Sequence, residues 1–296
     1  MMGVLRVFIA RVPRPIGNWV ADRIGDVVYH VAVRSRRASA SNLRHVMPHA
    51  SKREVMRAVH GVFHNVMRNY FDLCRAPDMS DEEIDERTTF DEEGWRRVVE
   101  AHRQGRGIIL VSAHFGSFDM TTQVISRRGL PLNVLIAQVK PAWLSDFISE
   151  LRGARGLNLL QVQAEAEEGN SLNLGALKRS MEILRKGGVL GVLADRNMEQ
   201  KGAVIRFFGY PTVVASGVAK MALRTRSVVF VGLCERLPKG RYSVTFSDII
   251  EPQGSASNDQ DVAALLTEIF SNFEPYIRRK PEQWVLLQPV WPVRET

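Results

Sequence analysis

Cysteine is scarce in this sequence. Only Cys74 and Cys234 occur, and neither belongs to a Cys-x-x-Cys pair or to a Cys/His spacing typical of zinc ligands. A disulfide framework or a structural zinc site built on cysteine therefore does not fit the chain, whereas a reducing compartment does. The two cysteines thus predict a protein on the cytoplasmic side.

Long hydrophobic runs are missing as well. No stretch of 18 residues is both apolar and free of charge, and Arg6 and Arg11 interrupt the apolar N-terminal run. This pattern predicts neither a membrane-spanning helix nor a signal-peptide core. Low-complexity segments and internal repeats are also missing. With 45% hydrophobic and 24% charged residues, the composition is that of a globular protein.

Two common catalytic motifs do not occur. The sequence contains no G-x-S-x-G nucleophile turn, which argues against an α/β-hydrolase. It also contains no G-x-x-x-x-G-K-[ST] loop, which argues against a phosphate-loop NTPase. Any chemistry must therefore come from another arrangement of residues.

Positive charge is concentrated at the N-terminus. The formal net charge is +8, and residues 1–45 contain eight arginines but only two acidic residues. A field of one sign indicates a polyanionic partner, which is either a nucleic acid or an anionic membrane surface.

Residues 1–34 have the pattern of an amphipathic helix broken at Pro13-Arg14-Pro15, with arginines between apolar stripe residues. That interleaving favours a helix in the membrane interface over nucleic-acid binding. A helix packed on its own domain stays open as the alternative. The side chains predicted to contact the membrane are Arg6, Arg11, Arg14 and Trp19.

From residue 107 onward, short apolar strands alternate with helical segments. Ser51 and Glu54 have the capping-box spacing that begins a long helix. The alternation predicts an α/β fold, namely a mostly parallel central sheet flanked by helices, after an α-helical N-terminal extension. We divide the chain into residues 1–50 and an α/β domain at 51–296. Strands are expected near 108–111, 132–137, 157–162, 189–194, 227–234 and 241–247, and helices near 116–128, 141–153, 172–186, 214–225 and 259–279.

One histidine stands where such a sheet binds ligands. His114 directly follows the first buried strand, and Asp119 lies five residues further on, beyond the turn-forming Gly116. Ligands bind at the carboxyl ends of parallel strands. A carboxylate that orients one imidazole nitrogen leaves the other free to take a proton. His114 is therefore a candidate general base, and the alternative is a strand-end histidine with a structural hydrogen bond.

A second histidine pair is less informative. His60 and His64 lie one helical turn apart, as two metal ligands would. The glutamate of the H-E-x-x-H motif is absent, and the sequence offers no obvious third ligand. We therefore predict no metal site.

Several further motifs occur in a recognisable order. Arg152 and Gly156 form an R-x3-G pair, and Gly187-Gly188 precedes a strand that ends at Asp195-Arg196. These motifs, with H-x4-D at His114–Asp119, resemble those of the bacterial lipid A biosynthesis acyltransferase family, including the phosphatidylinositol mannoside acyltransferases. Three more segments resemble it, so that nearly the whole chain is covered: Asn42-Leu43 with Met47-Pro48, Phe207-Phe208-Gly209-Tyr210-Pro211, and Pro281-Glu282-Gln283-Trp284.

The chain departs from the family pattern in three places. The stretch Leu287–Trp291 stands where the family has His-Arg-Arg-[WF], so we assign no substrate contact to this tail. The transmembrane anchor common among the lipid A enzymes is missing. Aspartate at position 119, where the lipid A enzymes have glutamate, leans toward the mannoside branch.

The resemblance implies a glycerolipid-acyltransferase-like fold and an acyl transfer without a cofactor. The donor would be the thioester of acyl-CoA or of an acyl-carrier protein, and the acceptor a hydroxyl of a lipid or glycolipid. His114 would act as the base and Asp119 would orient it, while Asp195 would contact the acceptor or support His114. The substrate-binding residues would be Arg152 and Arg196 of the same pocket, together with Gly116 and Ser117 of the turn. The backbone N–H groups of this turn would receive the oxyanion.

Two other functions stay open. One is a membrane-associated scaffold that kept the fold and lost the activity, and the other is a basic nucleic-acid-binding protein. The main prediction places an acyltransferase peripherally on the cytoplasmic face of the bacterial inner membrane, with an anionic membrane surface as its partner.

Overall fold

A computed structural model describes residues 9–138, 141–154, 156–162, 171–197 and 201–291. These residues form a seven-stranded sheet in the order β1-β9-β8-β2-β5-β3-β4, with a separate β6-β7 hairpin. Every pair in the sheet is parallel except β8 with β9. The strands are β1 (Thr88–Phe90), β2 (Ile108–Ser112), β3 (Leu132–Ala137), β4 (Asn158–Val162), β5 (Val189–Leu193), β6 (Ala203–Phe207), β7 (Tyr210–Val214), β8 (Val228–Leu237) and β9 (Arg241–Phe246).

Helices cover both faces of this sheet, so the predicted α/β class is confirmed. Because alternate residues of a strand point to opposite faces, Ile109 and Val111 of β2 enter one hydrophobic core, and Ile108 and Leu110 enter the other. The helices are α1 (Arg14–Val31), α2 (Val33–Val46), α3 (Lys52–Arg75), α4 (Asp81–Arg87), α5 (Glu92–Arg103), α6 (Phe118–Arg127), α7 (Ala142–Gly153), α8 (Ser171–Arg185), α9 (Gly217–Thr225), α10 (Asp259–Ser271) and α11 (Glu274–Arg279).

Local sequence signals explain most of these elements. The Ser51 hydroxyl accepts the N–H of Glu54 while the Glu54 carboxylate accepts the N–H of Ser51, so the predicted capping box begins α3. The single helix expected at 259–279 is wrong. It is divided into α10 and α11, since Pro275 lacks the N–H and the space that a continuous helix requires. Strand β1 and the β6-β7 hairpin were not predicted.

Helix α1 packs against α3 through its small residues. A Cβ atom on Gly17 would lie 2.0 Å from the Phe71 ring, and one on Gly25 would lie 2.9 Å from the His64 ring. Only glycine permits this approach, and while Val28 and Tyr29 pack against the core, most of the other large apolar residues of α1 point outward. This exposed apolar face of α1 consists of Ile16, Trp19, Val20, Ile24, Val27 and Val31. Among the helices of the described residues, none is long and apolar enough to cross a membrane.

Arg14 differs from its expected role at the membrane. Its side chain is buried, and its Nη1 donates to Asp72 Oδ1 at 3.2 Å and to the Tyr242 hydroxyl at 3.1 Å. The prediction of a lipid contact for Arg14 is therefore wrong, because a guanidinium held by a buried carboxylate does not reach lipid phosphates. Arg6 lies outside the described residues, while Arg11 and Trp19 are exposed.

Asp72 lies at the centre of a buried polar cluster that joins α1, α3, α6 and β8. It pairs with Arg14 and Arg236, and its Oδ2 accepts the Ser117 hydroxyl at 3.1 Å. Burial alone would raise the pKa of Asp72, but the positive charges of Arg236 and Arg14 bring it below its ordinary value. The two guanidinium groups therefore share the carboxylate of Asp72, and Arg14 Nη2 also lies 3.5 Å from Glu83 Oε1.

Replacing Asp72 should destabilise the fold strongly. Asp72→Asn keeps the size of the side chain but removes the carboxylate that pairs with buried Arg236, and it leaves buried Arg14 only its 3.5 Å contact with Glu83. We expect a loss of about 3–5 kcal/mol in the free energy of unfolding, measured by denaturant titration. The matched control is Asp248→Asn, whose side chain is 91% exposed, with an expected change within about 0.5 kcal/mol. Equal effects of the two substitutions would contradict the assignment.

Candidate active site

His114 and Asp195 meet at the carboxyl ends of two neighbouring parallel strands. His114 follows β2 and Asp195 follows β5, and the register of these strands pairs Ser112 with Leu193. The Nδ1 atom of His114 lies 2.7 Å from Asp195 Oδ1, and the backbone N–H of His114 donates to Asp195 Oδ2 at 2.9 Å. The Nε2 atom of the imidazole is therefore the one left for a substrate.

Asp195 is fully buried, and several donors surround its carboxylate. The indole N–H of Trp284 donates to Oδ2 at 2.9 Å, beside the two contacts from His114. Burial alone would raise the pKa of Asp195, but the charge and the ring hydrogen bond of His114, with the bond from Trp284, bring it below its ordinary value. Asp195 is thus ionised and holds the His114 ring through Nδ1.

Glycine shapes the turn that follows His114. Gly116 has a positive φ of 57°, and a Cβ atom there would lie 2.0 Å from the carbonyl oxygen of Cys234. Its N–H donates to the Gln283 carbonyl at 2.8 Å, and its carbonyl accepts the Asn69 side chain at 2.8 Å. The turn is therefore held from both sides, which fixes the position of His114.

Asp119 does not orient His114. Its carboxylate accepts Arg152 Nε at 2.7 Å and Nη2 at 3.3 Å, which forms a two-pronged ion pair. The prediction that Asp119 orients His114 is therefore wrong, because the carboxylate of Asp195, which follows β5, already contacts His114 Nδ1. Burial alone would lower the pKa of Arg152, but the charge of Asp119 raises it above its ordinary value, so the guanidinium stays charged.

A cavity of about 1250 Å³ opens beside His114. Asp119, Arg152 and Arg196 also line it, whereas Asp195 does not. The rest of the lining is mostly apolar and extends to the β3–β4 edge of the sheet, where it includes Leu132, Val134, Ile136, Leu157, Leu159 and Ile148. A concave apolar site with a few convergent polar groups is typical of a small-molecule site, and this one suits a long hydrocarbon chain.

Two of the predicted substrate-binding residues lie elsewhere. Gly116 and Ser117 are not among the residues that line the cavity. Their N–H groups donate to the carbonyls of Gln283 and Cys234, at 2.8 and 2.9 Å, and the Ser117 side chain is buried against Asp72. The prediction that these N–H groups receive an oxyanion is therefore wrong, because both are already used to close the turn. Arg196 is half-buried, and burial lowers its pKa.

The sequence analysis missed the part played by the C-terminal segment. Trp284 binds Asp195, and Leu287 and Gln288 line the cavity although no substrate contact was assigned to this tail. The tail reaches the site because Asn42 of α2 holds it, donating to Gln288 O at 2.7 Å and accepting Val290 N–H at 2.9 Å. The P-E-Q-W and N-L motifs are the signals that could have indicated this contact.

Phe207 and Phe208 of the F-F-G-x-P segment belong to the hydrophobic core. Both are buried, and their rings pack with Phe270, Trp284 and Trp291 instead of lining the cavity. Phe207-Phe208 therefore stabilises the core beneath the site.

Comparisons with known proteins support the same family as the motifs. The chain is 25% identical over 187 residues to a phosphatidylinositol mannoside acyltransferase of Mycobacterium tuberculosis (strain CDC 1551 / Oshkosh), covering 63% of this chain and 55% of that protein. The protein of the same name from Mycolicibacterium smegmatis is 24% identical, over 63% of this chain and 57% of that one. The match thus spans just over half the length of these mycobacterial relatives.

A third relative is matched over more of its length. The lipid A biosynthesis acyltransferase of Haemophilus influenzae is 22% identical over 284 residues, which is 94% of this chain and 82% of that protein. The sequence model of the bacterial lipid A biosynthesis acyltransferase family matches residues 1–292. The chain therefore belongs to the bacterial lipid A biosynthesis acyltransferase family, whose members are acyltransferases.

Proposed function

We propose that this enzyme transfers a fatty acyl chain from a thioester to a hydroxyl of a lipid or glycolipid at the membrane surface. The observation that carries the proposal is the His114–Asp195 pair, whose free imidazole nitrogen faces a mostly apolar cavity. The donor is acyl-CoA or an acyl-carrier protein. The names of the relatives indicate two kinds of acceptor, a phosphatidylinositol mannoside or a lipid A precursor. The aspartate at position 119 favours the mannoside.

The chemistry needs one base and no cofactor. His114 Nε2 takes the proton of the acceptor hydroxyl while the oxygen attacks the thioester carbonyl. The carbon–oxygen bond forms, the carbon–sulfur bond breaks, and the proton passes from Nε2 to the leaving thiolate. Asp195 holds Nδ1 in the correct tautomer and stabilises the imidazolium, as an aspartate does in hydrolase triads.

Arg152 and Asp119 supply the fixed charge of the cavity. Asp119 uses both carboxylate oxygens to hold Arg152, so the guanidinium is ordered before a substrate arrives. An ordered cation in a partly dehydrated cavity attracts anions more strongly than a mobile surface arginine does. We assign Arg152 to an anionic group of the donor or acceptor, such as a phosphate, and Arg196 to the same role.

Removal of the base tests the activity directly. We expect His114→Ala to lower acyl transfer from a labelled palmitoyl thioester into bacterial lipids by at least about 100-fold. The matched control is His49→Ala, because His49 is exposed and distant in sequence from the site. The His49→Ala protein should transfer acyl chains at the wild-type level. Equal activity of the wild type and His114→Ala would contradict the proposal. Membrane binding without transfer in any form of the protein would favour a scaffold.

The two carboxylates should differ in their kinetic effects. Asp195→Asn removes the charge that stabilises the imidazolium, so we expect a large fall in kcat. Asp119→Asn leaves the His114–Asp195 pair intact and disorders Arg152, so KM should rise more than kcat falls. Steady-state kinetics with varied donor and acceptor concentration distinguish the two. If Asp119→Asn lowered kcat as much as Asp195→Asn with KM unchanged, Asp119 would be the partner of His114 during turnover.

Membrane association is proposed through the exposed apolar face of α1. Water covers these six large side chains in the isolated protein, and their burial in the lipid interface would remove that unfavourable contact. Arg11 is exposed close to this face in sequence and suits lipid phosphates. The proposed location is peripheral, on the cytoplasmic face of the bacterial inner membrane, where both thioester donors occur.

Polar substitutions on this face test the association. We expect the triple variant Trp19→Ser, Ile24→Ser and Val27→Ser to bind anionic phospholipid vesicles at least about tenfold more weakly, because apolar burial is lost. The control Ile249→Ser alters a partly exposed apolar residue elsewhere and should bind like the wild type. Binding that survives high salt also separates a lipid surface from DNA, whose binding falls steeply with salt. Undiminished vesicle binding by the triple variant would contradict this assignment.

A further inference from the structure

Three potential metal ligands converge between α1 and α3, on helices that do not carry His114. His60 and His64 lie one turn apart on α3, and Asp26 projects from α1. The Nε2 atoms of the two imidazoles approach the same oxygen, Asp26 Oδ1, at 2.8 and 2.7 Å. All three ligand atoms lie within 4.8 Å of one another.

The packing of the two helices produces this convergence. Gly25, next to Asp26, has no side chain and faces the His64 ring, so α1 lies close enough for the carboxylate to reach both histidines. The second oxygen, Asp26 Oδ2, is 3.0 Å from Arg23 Nη1, which orients the carboxylate and leaves Oδ1 toward the imidazoles. The Tyr29 ring packs edge-on against His60 at 5.0 Å between centroids and restricts its movement.

We propose that Asp26, His60 and His64 form a binding site for a divalent transition metal ion, with Zn²⁺ as the best fit. Two imidazole nitrogens and one carboxylate oxygen are ligands that suit Zn²⁺, Co²⁺ or Ni²⁺, whereas Ca²⁺ and Mg²⁺ require mostly oxygen. Tetrahedral zinc with bonds of about 2.0–2.1 Å places its ligand atoms roughly 3.3 Å apart. The two nitrogen–oxygen distances, 2.8 and 2.7 Å, need to lengthen by only about half an ångström to admit the ion, and water completes the coordination.

Neighbouring groups supply the outer shell of this site. Asp22 Oδ1 lies 3.8 Å from His64 Nδ1, on the side of the ring away from Asp26. Carboxylates in this position commonly orient metal-bound histidines. Arg68 in turn holds Asp22 with two hydrogen bonds of 2.7 and 2.6 Å. The bound ion would tie α1, with its exposed apolar face, to α3, so it has a structural role.

The test measures metal binding by the full chain without a polyhistidine tag, after removal of metals with a chelator. We expect Zn²⁺ to bind one ion per chain in calorimetry and to raise Tm, and Co²⁺ to give the visible absorption of a tetrahedral site. His60→Gln, Asp26→Asn and His64→Gln should each weaken binding by more than the roughly 10–100-fold typical of outer-shell losses. The matched control His49→Gln, an exposed histidine outside the cluster, should bind like the wild type.

His60→Gln is the decisive variant because its side chain is 39% exposed, so its replacement leaves the helix packing intact by circular dichroism. The proposal is overturned if the wild type binds no stoichiometric Zn²⁺. It is also overturned if folded His60→Gln binds as tightly as the wild type, or if His49→Gln weakens binding equally. Because binding and Tm are measured without substrate, this result is independent of the proposed acyl transfer.

Discussion

The rest of the site depends on one buried carboxylate. Asp195 lies at the end of β5 without access to water, and an ionised carboxylate in that position is costly unless hydrogen bonds surround it. Its donors come from separate parts of the chain, namely the backbone and ring of His114 and the indole of Trp284. The need to satisfy Asp195 therefore sets the conformation of the turn after β2 and brings the C-terminal segment against the sheet.

A second buried cluster holds the same turn from the opposite side. Asp72 binds Arg14 and Arg236, and it also accepts the hydroxyl of Ser117. Gln283 binds the backbone of Arg236 through both its amide oxygen and its amide nitrogen, and its own carbonyl accepts the N–H of Gly116. The residues after His114 thus lie between two polar clusters. This arrangement keeps the imidazole in place, because neither side of the turn can shift without breaking buried hydrogen bonds.

Helix α1 reverses the usual distribution of side chains. A helix on a soluble domain generally turns its large apolar residues inward, but α1 packs through Gly17, Ala21 and Gly25. The close approach brings Asp22 and Asp26 to Arg68, His60 and His64 of α3, so charges and histidines hold the two helices together. The same packing directs the apolar face outward. The close packing of α1 on α3 therefore accounts for both the proposed membrane surface and the proposed metal site.

Patterns in the sequence determined the elements of the fold and the position of the base. Apolar runs, caps and glycine turns are local signals, and they predicted the long helix α3, six strands of the sheet and His114 at the end of β2. The same local reasoning assigned Asp119 to His114 because the two lie five residues apart. In the structure β2 pairs in parallel with β5, which brings Asp195 against the imidazole of His114. Asp119 forms an ion pair with Arg152 instead.

The tertiary structure alone decided every contact between groups distant in the sequence. The spacing of His60 and His64 predicted two ligands and no third, because Asp26 belongs to another helix and comes near only where Gly25 allows close packing. Periodicity also could not show which face of α1 is buried, since both faces carry uncharged residues. The physical reason is common to these cases: a sequence pattern reports the neighbours of a residue along the chain, whereas catalysis and binding use neighbours in space.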